Sequence, residues 1–138
     1  MESYKHKVHY YESDQMGLAH HSNYVRWMEE ARTDFLDRIG WNYAKMEESG
    51  IISPVLSYSC EFKEGAVFDD LITVAIRVEE FKGIRLRISY EFRHEDGRLA
   101  AIGTSEHCFL DREHRPVNVK KKLPGLYEGL TKPENSAF

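Results

Sequence analysis

The hydrophobic positions change their period once along the chain. From about residue 22, Tyr24, Trp27, Met28, Ala31 and Phe35 recur at steps of three and four. That spacing is one face of an α-helix, and Glu29, Glu30, Asp34 and Asp37 fall mostly off the stripe. Gly40 supplies a stop signal, and residues 41–49 suit a short second helix before Gly50. Beyond Gly50 the period becomes two. Leu56, Tyr58, Cys60 and Phe62 alternate with serines and Glu61, and Ile72, Val74, Ile76 and Val78 repeat the pattern. Ile84, Leu86, Ile88, Tyr90 and Phe92 set against Arg85, Arg87, Ser89, Glu91 and Arg93 describe a strand with one dry and one wet face. Gly65 with Asp69–Asp70 marks one turn, Asp96–Gly97 a hairpin, and a last strand runs over about 98–110. Residues 4–11 read as a strand ahead of the helix. Residues 119–130 are weakly helical and interrupted by Pro124 and Gly125, and 131–138 read as a frayed tail.

The order is therefore strand, long helix, then at least four strands joined by short turns. A run of hairpins implies an antiparallel sheet, and the long helix covers its dry face, so the expected class is α+β with the sheet wrapped around a central helix. The pattern leaves the strand order open. No repeat, low-complexity segment or linker interrupts the 138 residues, which read as a single domain.

Composition narrows the function classes. An apolar content of 41% and a charged content of 30% are those of ordinary globular proteins. A formal net charge of −4 argues against nucleic acid as the main partner, since phosphate binding wants a basic surface. Cys60 and Cys108 lie in strand-like segments with no Cys-x-x-Cys neighbour, which suits free thiols in a reducing cytoplasm. The start, MESYKHKVHYY, has no apolar signal core, and no stretch approaches the ~20 apolar residues of a membrane span. The expected location is the cytoplasm.

Candidate chemistry gathers in residues 10–32, YYESDQMGLAHHSNYVRWMEEAR. A helix N-terminus offers unpaired N–H groups and the positive end of the helix dipole, which can hold a carbonyl oxygen as it becomes an oxyanion. Asp14 precedes that helix through Gly17, where the backbone can bend tightly. A carboxylate placed beside such a helix end serves as general base for water or as nucleophile on an acyl carbon. Plainer readings stand beside this one: Asp14 as a turn residue, His20 and His21 as surface or capping residues, Gly17 as a turn glycine, Tyr24 as core.

The same stretch resembles the 4-hydroxybenzoyl-CoA thioesterase family of hot-dog-fold acyl-CoA thioesterases. The likeness rests on Asp14 of YESDQMG, Gly17 three residues later, His21, Tyr24 of SNY and the helix text YVRWMEEAR, and extends to VEEFKGIRLRISYEF. It implies hydrolysis of an acyl-CoA thioester, or of one on an acyl-carrier protein, with no cofactor. Asp14 matches the catalytic carboxylate, and Gly17 the glycine that turns the loop under the thioester. His21 matches the helix start whose N–H polarises the carbonyl, and Tyr24 an aromatic that shapes the pocket. His20 stands where an aromatic is frequent, which bears on the acyl pocket. Lys82 matches a place that meets the CoA phosphates in some members, with Arg85 and Arg87 nearby on the wet face. The basic run Lys120–Lys122 is a further, weaker candidate. The resemblance also implies a homodimer or homotetramer with sites drawing on two chains.

Rival chemistries lack their signatures. There is no Gly-x-Ser-x-Gly nucleophile elbow and no phosphate-cradling glycine motif. His6 and His9, three apart on an expected strand, should point to opposite faces, and the adjacent His20 and His21 chelate poorly, so no metal site is expected. A hot-dog domain that binds acyl groups without cleaving them remains the alternative, and the acid at position 14 favours hydrolysis over it.

Overall fold

The computed structural model describes residues 2–138. Five antiparallel strands form one sheet: β1 (Tyr4–Lys7), β2 (Val55–Phe62), β3 (Leu71–Phe81), β4 (Arg85–Arg93) and β5 (Leu99–Cys108), in the spatial order β1-β3-β4-β5-β2. The long helix α1 (Ser22–Arg38) lies across it, followed by α2 (Tyr43–Glu48); α3 (Val119–Lys122) and α4 (Pro124–Thr131) close the chain. The expected α+β layering is present.

The helical stripe is buried as its spacing requires. Tyr24, Trp27, Met28, Ala31 and Phe35 pack against Ile72, Val74, Ile88, Tyr90 and Phe92 in one core. Gly103 of β5 lies under α1: a Cβ there would stand 2.5 Å from Met28 Cε and 3.1 Å from the Ser59 carbonyl oxygen, so a side chain at that position would displace the end of the Met28 side chain.

Three details differ from the sequence expectation. The first strand stops at Lys7, and a 3-10 turn (Tyr10–Glu12) follows because the His9 N–H donates to the Glu12 carboxylate at 2.7 Å. Ile84 falls in the β3–β4 turn rather than the strand. Most consequential, β2 and β3 form no hairpin: β2 pairs with β5 at one edge while β3 pairs with β1 and β4. The connection 63–70 crosses the start of α1, where the Ala19 N–H donates to the Ala66 carbonyl at 2.8 Å and the Ala66 N–H reaches the Tyr24 hydroxyl at 3.4 Å. That crossing leaves β2 as an edge strand, with Leu56 and Phe62 46% and 48% exposed. At the C-terminus, the N–H of Ala137, one of the residues expected to fray, donates to the Ile76 carbonyl at 2.9 Å.

A polar chain runs through the otherwise apolar layer. Arg32 of α1 donates to the Tyr90 hydroxyl at 3.2 Å and to the Tyr58 hydroxyl at 2.9 Å. Tyr90 contacts Ser105 Oγ at 2.6 Å, and Ser105 contacts His107 Nε2 at 2.7 Å. Tyr90 accepts from Arg32, and the arrangement in which every hydrogen of the chain meets an acceptor runs from Tyr90 to Ser105 and from Ser105 to His107. A neutral His107 accepting on Nε2 carries its proton on Nδ1. Burial, and then the Arg32 guanidinium, push the His107 pKa down to about 3. The unfolded chain binds that proton near its ordinary value of 6.5, so His107 favours folding above about pH 6.5 and withdraws that support as pH falls toward 3. In urea titrations the stability of the wild type should fall more steeply between pH 6.5 and 4 than that of His107→Gln, by as much as about 3 kcal/mol. Parallel pH profiles for the two proteins would contradict this.

Candidate active site

The site is assembled around Glu12, a carboxylate only 5% exposed. Its Oε1 accepts from the His9 N–H and from His6 Nε2 at 2.9 Å, and its Oε2 accepts from the Trp27 indole N–H at 2.8 Å. Burial alone would raise its pKa, but those donors outweigh it and hold the group below the usual carboxylate range. The Glu12 backbone carbonyl takes two more donors, the His20 N–H and Asn23 Nδ2, each at 2.8 Å. One residue thus fastens the end of β1 to the middle of α1 and to the helix start.

Between those anchors the chain makes a short antiparallel ribbon. Ser13 bridges Ala19, and the Asp14 N–H donates to the Leu18 carbonyl at 2.8 Å. Gly17 closes the turn with φ +77 and donates to the Asp14 carbonyl at 3.0 Å; the left-handed backbone is what this position requires of glycine. Asp14 is half-buried at the turn end of the ribbon. Its Oδ1 accepts from the Met16 N–H at 2.9 Å and, more weakly, from the Leu18 N–H at 3.4 Å. Among the described residues both side-chain bonds to Asp14 fall on Oδ1, so Oδ2 is the oxygen left for a ligand. The ribbon sets Asp14 two residue pairs from the His20 amide, about 7 Å along the strand direction.

The first amides of α1 are nearly all committed. The His20 N–H goes to Glu12, the Ser22 N–H to His20 Nδ1 at 3.2 Å, the Asn23 N–H to the His20 carbonyl at 3.0 Å, and the Tyr24 N–H to the His21 carbonyl at 3.2 Å. His20 therefore caps the helix with its own imidazole, which also meets Ser22 Oγ at 2.8 Å. The His21 N–H has no partner among the described residues. It is the open donor at the positive end of a helix of 17 residues.

Tyr24 is buried in the core below this point and packs edge-on against Phe62 at 5.1 Å and Phe92 at 5.2 Å. The His21 ring lies 5.8 Å from Phe62. Phe62, at the end of the edge strand, walls the site; sequence reading placed it only in an alternating strand. Its half-exposure comes from the edge position of β2, which the alternation does not show.

Asp14, Gly17, His20, His21 and Tyr24 come together. Lys82 and Arg85 do not join them within one protomer. They line a groove with Arg87 and Asn118 at the far end of the sheet, where Lys82 faces Glu80 at 3.5 Å and Arg85 faces Glu106 at 4.0 Å. β3 runs from the crossing connection to that turn over 11 residues, a span of about 33 Å. The basic run Lys120–Lys122 reaches the same end, since the Val119 N–H donates to the Gly83 carbonyl at 2.8 Å.

One sequence inference is corrected. His6 and His9 do not point apart: the strand ends between them, their rings meet edge-on at 5.2 Å, and with Glu12 they offer ligand atoms all within 4.8 Å of one another. The arrangement resembles a His-His-carboxylate metal set. The atoms are already committed, however: His6 Nε2 to Glu12, His6 Nδ1 to Glu30 at 3.2 Å, and both Glu12 oxygens to donors.

This geometry has counterparts. The sequence profile of the Thioesterase-like superfamily matches residues 8–130. The chain belongs to that superfamily. The match is to the superfamily as a whole and does not single out the 4-hydroxybenzoyl-CoA thioesterases. Among similar thioesterase-like proteins, YneP of Bacillus subtilis (strain 168), named provisionally as an acyl-CoA thioesterase, is 31% identical over 127 residues, covering 91% of this chain and 92% of that protein. A 1,4-dihydroxy-2-naphthoyl-CoA hydrolase of Thermosynechococcus vestitus is 26% identical over 126 residues, covering 90% and 86% of the two chains. The crystal structure of a DHNA-CoA thioesterase from Staphylococcus aureus superposes with a TM-score of 0.88 at 30% identity, over 96% of this chain and 90% of that one. The architecture is the hot-dog fold, and the superfamily's chemistry is thioester hydrolysis. Among the described residues no helix is long and apolar enough to cross a membrane.

Glu12→Gln keeps the shape of the side chain but turns one acceptor into a donor, leaving a buried N–H of the cluster unpaired. The expected loss in urea unfolding is about 1–3 kcal/mol, with faster proteolytic cleavage in residues 13–19. An unchanged midpoint would show that Glu12 does not hold the loop.

Proposed function

We propose that the protein hydrolyses acyl-CoA thioesters, as a relative of the 4-hydroxybenzoyl-CoA thioesterases with residues 1–138 forming one hot-dog domain. The observation that carries the reading is the open His21 N–H at the start of α1, set beside a ribbon that presents one oxygen of Asp14. The thioester carbonyl accepts from that N–H, which stabilises the oxyanion as it forms. Asp14 Oδ2 drives the reaction, either by taking a proton from an attacking water or by adding to the acyl carbon itself. In either route the C–S bond breaks and the thiolate leaves. In the second, water then hydrolyses the acyl–Asp14 anhydride to free acid and carboxylate, and in both the water supplies the proton taken up by the sulfur. Tyr24 and Phe62 shape the wall beside the reacting carbon, and His20 fixes the helix end. The reading calls for no metal or cofactor. The names of the relatives support a CoA leaving group, and the two unpaired cysteines fit a reducing cytoplasm.

Replacing Asp14 with Asn keeps the loop's hydrogen bonds and removes the carboxylate. Across a panel of acyl-CoAs followed by thiol release, kcat/KM should fall by about 10²–10⁴-fold while EDTA leaves the wild type unaffected. Cleavage by Asp14→Asn at the wild-type rate defeats the mechanism. Binding without turnover across the whole panel favours a non-catalytic acyl-binding module.

The working unit we infer is a homodimer joined through β2. An unpaired edge strand carrying exposed Val55, Leu56 and Phe62 is a template for pairing. Antiparallel pairing of two such edges sets the Phe62 end of one protomer against the Val55 end of the other. The Val55 end lies beside Arg85, because Cys108 pairs with Arg85 and its N–H donates to the Pro54 carbonyl at 3.3 Å. The basic groove that is remote from Asp14 within one chain would then come from the partner, placed to meet CoA phosphates. Leu56→Lys should give a monomer by sedimentation and raise KM for acyl-CoA. A dimer that survives this change with unaltered KM would refute the arrangement.

A further inference from the structure

Arg32 is a cation in the wrong place for an ordinary ion pair. It sits on the apolar stripe of α1, four residues after Met28, and is 5% exposed. Its two terminal nitrogens donate to the neutral hydroxyls of Tyr90 and Tyr58, and the Tyr58 ring lies 5.5 Å beneath it. Tyr43 stands beside it as well. No carboxylate pairs with it among the described residues, and its Nε, fully buried, has no hydrogen-bond partner. An arginine cannot escape this by losing its proton, as a lysine can. A buried charge left without a counter-charge costs several kcal/mol.

The guanidinium borders a cavity of about 20 Å³ between α1, α2 and β4–β5. A space of about 10–15 Å³ holds one water-sized particle, so this one takes a single small occupant and not an acyl chain. None of its wall residues is acidic. The polar groups that reach it are Arg32, Tyr43, Ser53 and His107, set among aliphatic and aromatic side chains. His107 Nε2 is taken up by Ser105 Oγ at 2.7 Å, and His107 brings no negative charge to the wall. Such a wall has donors to offer and one unit of positive charge to neutralise. A water molecule would satisfy Nε and leave the charge.

We propose that this cavity is a binding site for one small monovalent anion of chloride size, held by Arg32 Nε. The site is independent of the hydrolase reading: it lies under the middle of α1, away from the Asp14 ribbon. Because Arg32 also binds Tyr58 of β2, an anion that fixes the guanidinium also fixes the edge strand to the helix.

The test uses the full chain. Crystals soaked in sodium bromide, with data at the bromine absorption edge, should show an anomalous peak within hydrogen-bonding distance of Arg32 Nε. In solution, the unfolding equilibrium constant should be about tenfold smaller in chloride than in gluconate at equal ionic strength, once chloride exceeds its dissociation constant about tenfold. That difference should vanish in Arg32→Met. Should Arg32→Met fail to fold, Tyr43→Phe, which removes one wall hydroxyl and keeps the charge, should shift the chloride dependence to higher concentration. Ordered water at Nε with no bromide overturns the proposal. So does a bromide seen only in a concentrated soak while stability is the same in both salts, an adventitious ion only. A stability difference without bromide at Arg32 places the effect elsewhere and overturns it equally.

Discussion

The carboxylate of Glu12 is the constraint on which the site depends. It is buried and ionised, and three donors from three parts of the chain converge on it: His6 in β1, the His9 amide in the turn, and the indole of Trp27 in α1. Hydrogen bonds to an ionised acceptor are about twice as strong as neutral ones, and a buried carboxylate stripped of one donor carries the desolvation cost outright. The Glu12 carbonyl does a second job by holding His20 and Asn23. Residues 13–19 are therefore pinned at both ends. That gives a mobile-looking loop of small and polar residues a fixed direction, and Asp14 and the helix start inherit it.

The crossing of residues 63–70 adds the second constraint. Had β2 and β3 formed a hairpin, the segment would have turned away from α1. Instead it is bonded to Ala19 and Tyr24, so the helix start is held from two sides and Phe62 arrives beside His21. The same route leaves β2 at an edge with apolar side chains turned to solvent. The geometry that holds the helix start thus also leaves an exposed apolar edge, the one on which the proposed dimer would form.

How much of this was legible in the residues depends on whether the cause was local. The stripe from Tyr24 to Phe35 and the alternation from Ile84 to Phe92 were readable because burial imposes a period directly on the sequence. Asp14, Gly17 and His21 were readable as a motif. What failed was long-range. A period of two tells which face a strand buries and nothing about its neighbours, so the edge position of β2 was invisible. The early end of β1 was missed because the atoms responsible, the Glu12 oxygens, are held by Trp27, 15 residues on. His6 and His9 were consequently sent to opposite faces when they share one. Arg32 carries a local signal: a charged residue at the i+4 position from Met28 sits on the dry stripe, where it needs a reason.

Under the proposed mechanism the helix start supplies only part of what catalysis needs. Most of its amides are spent on the protein's own atoms, with His20 and Glu12 taking donors that a ligand could otherwise have used. One donor aimed at an oxyanion is worth about 2.7–4 kcal/mol, well short of the acceleration enzymes achieve, which begins at about 8 kcal/mol. In the proposed mechanism the difference comes from the carboxylate of Asp14 and from holding the substrate in line with it. The basic groove at Lys82 and Arg85 is the part of the molecule suited to grip the remote, phosphorylated end of the substrate, and within one protomer it lies at the wrong end of the sheet. Binding energy gained there helps the reacting carbon only if the groove and the helix start face one substrate. In the proposed β2-edge dimer the two would face one substrate, which ties that assembly to the chemistry as well as to stability.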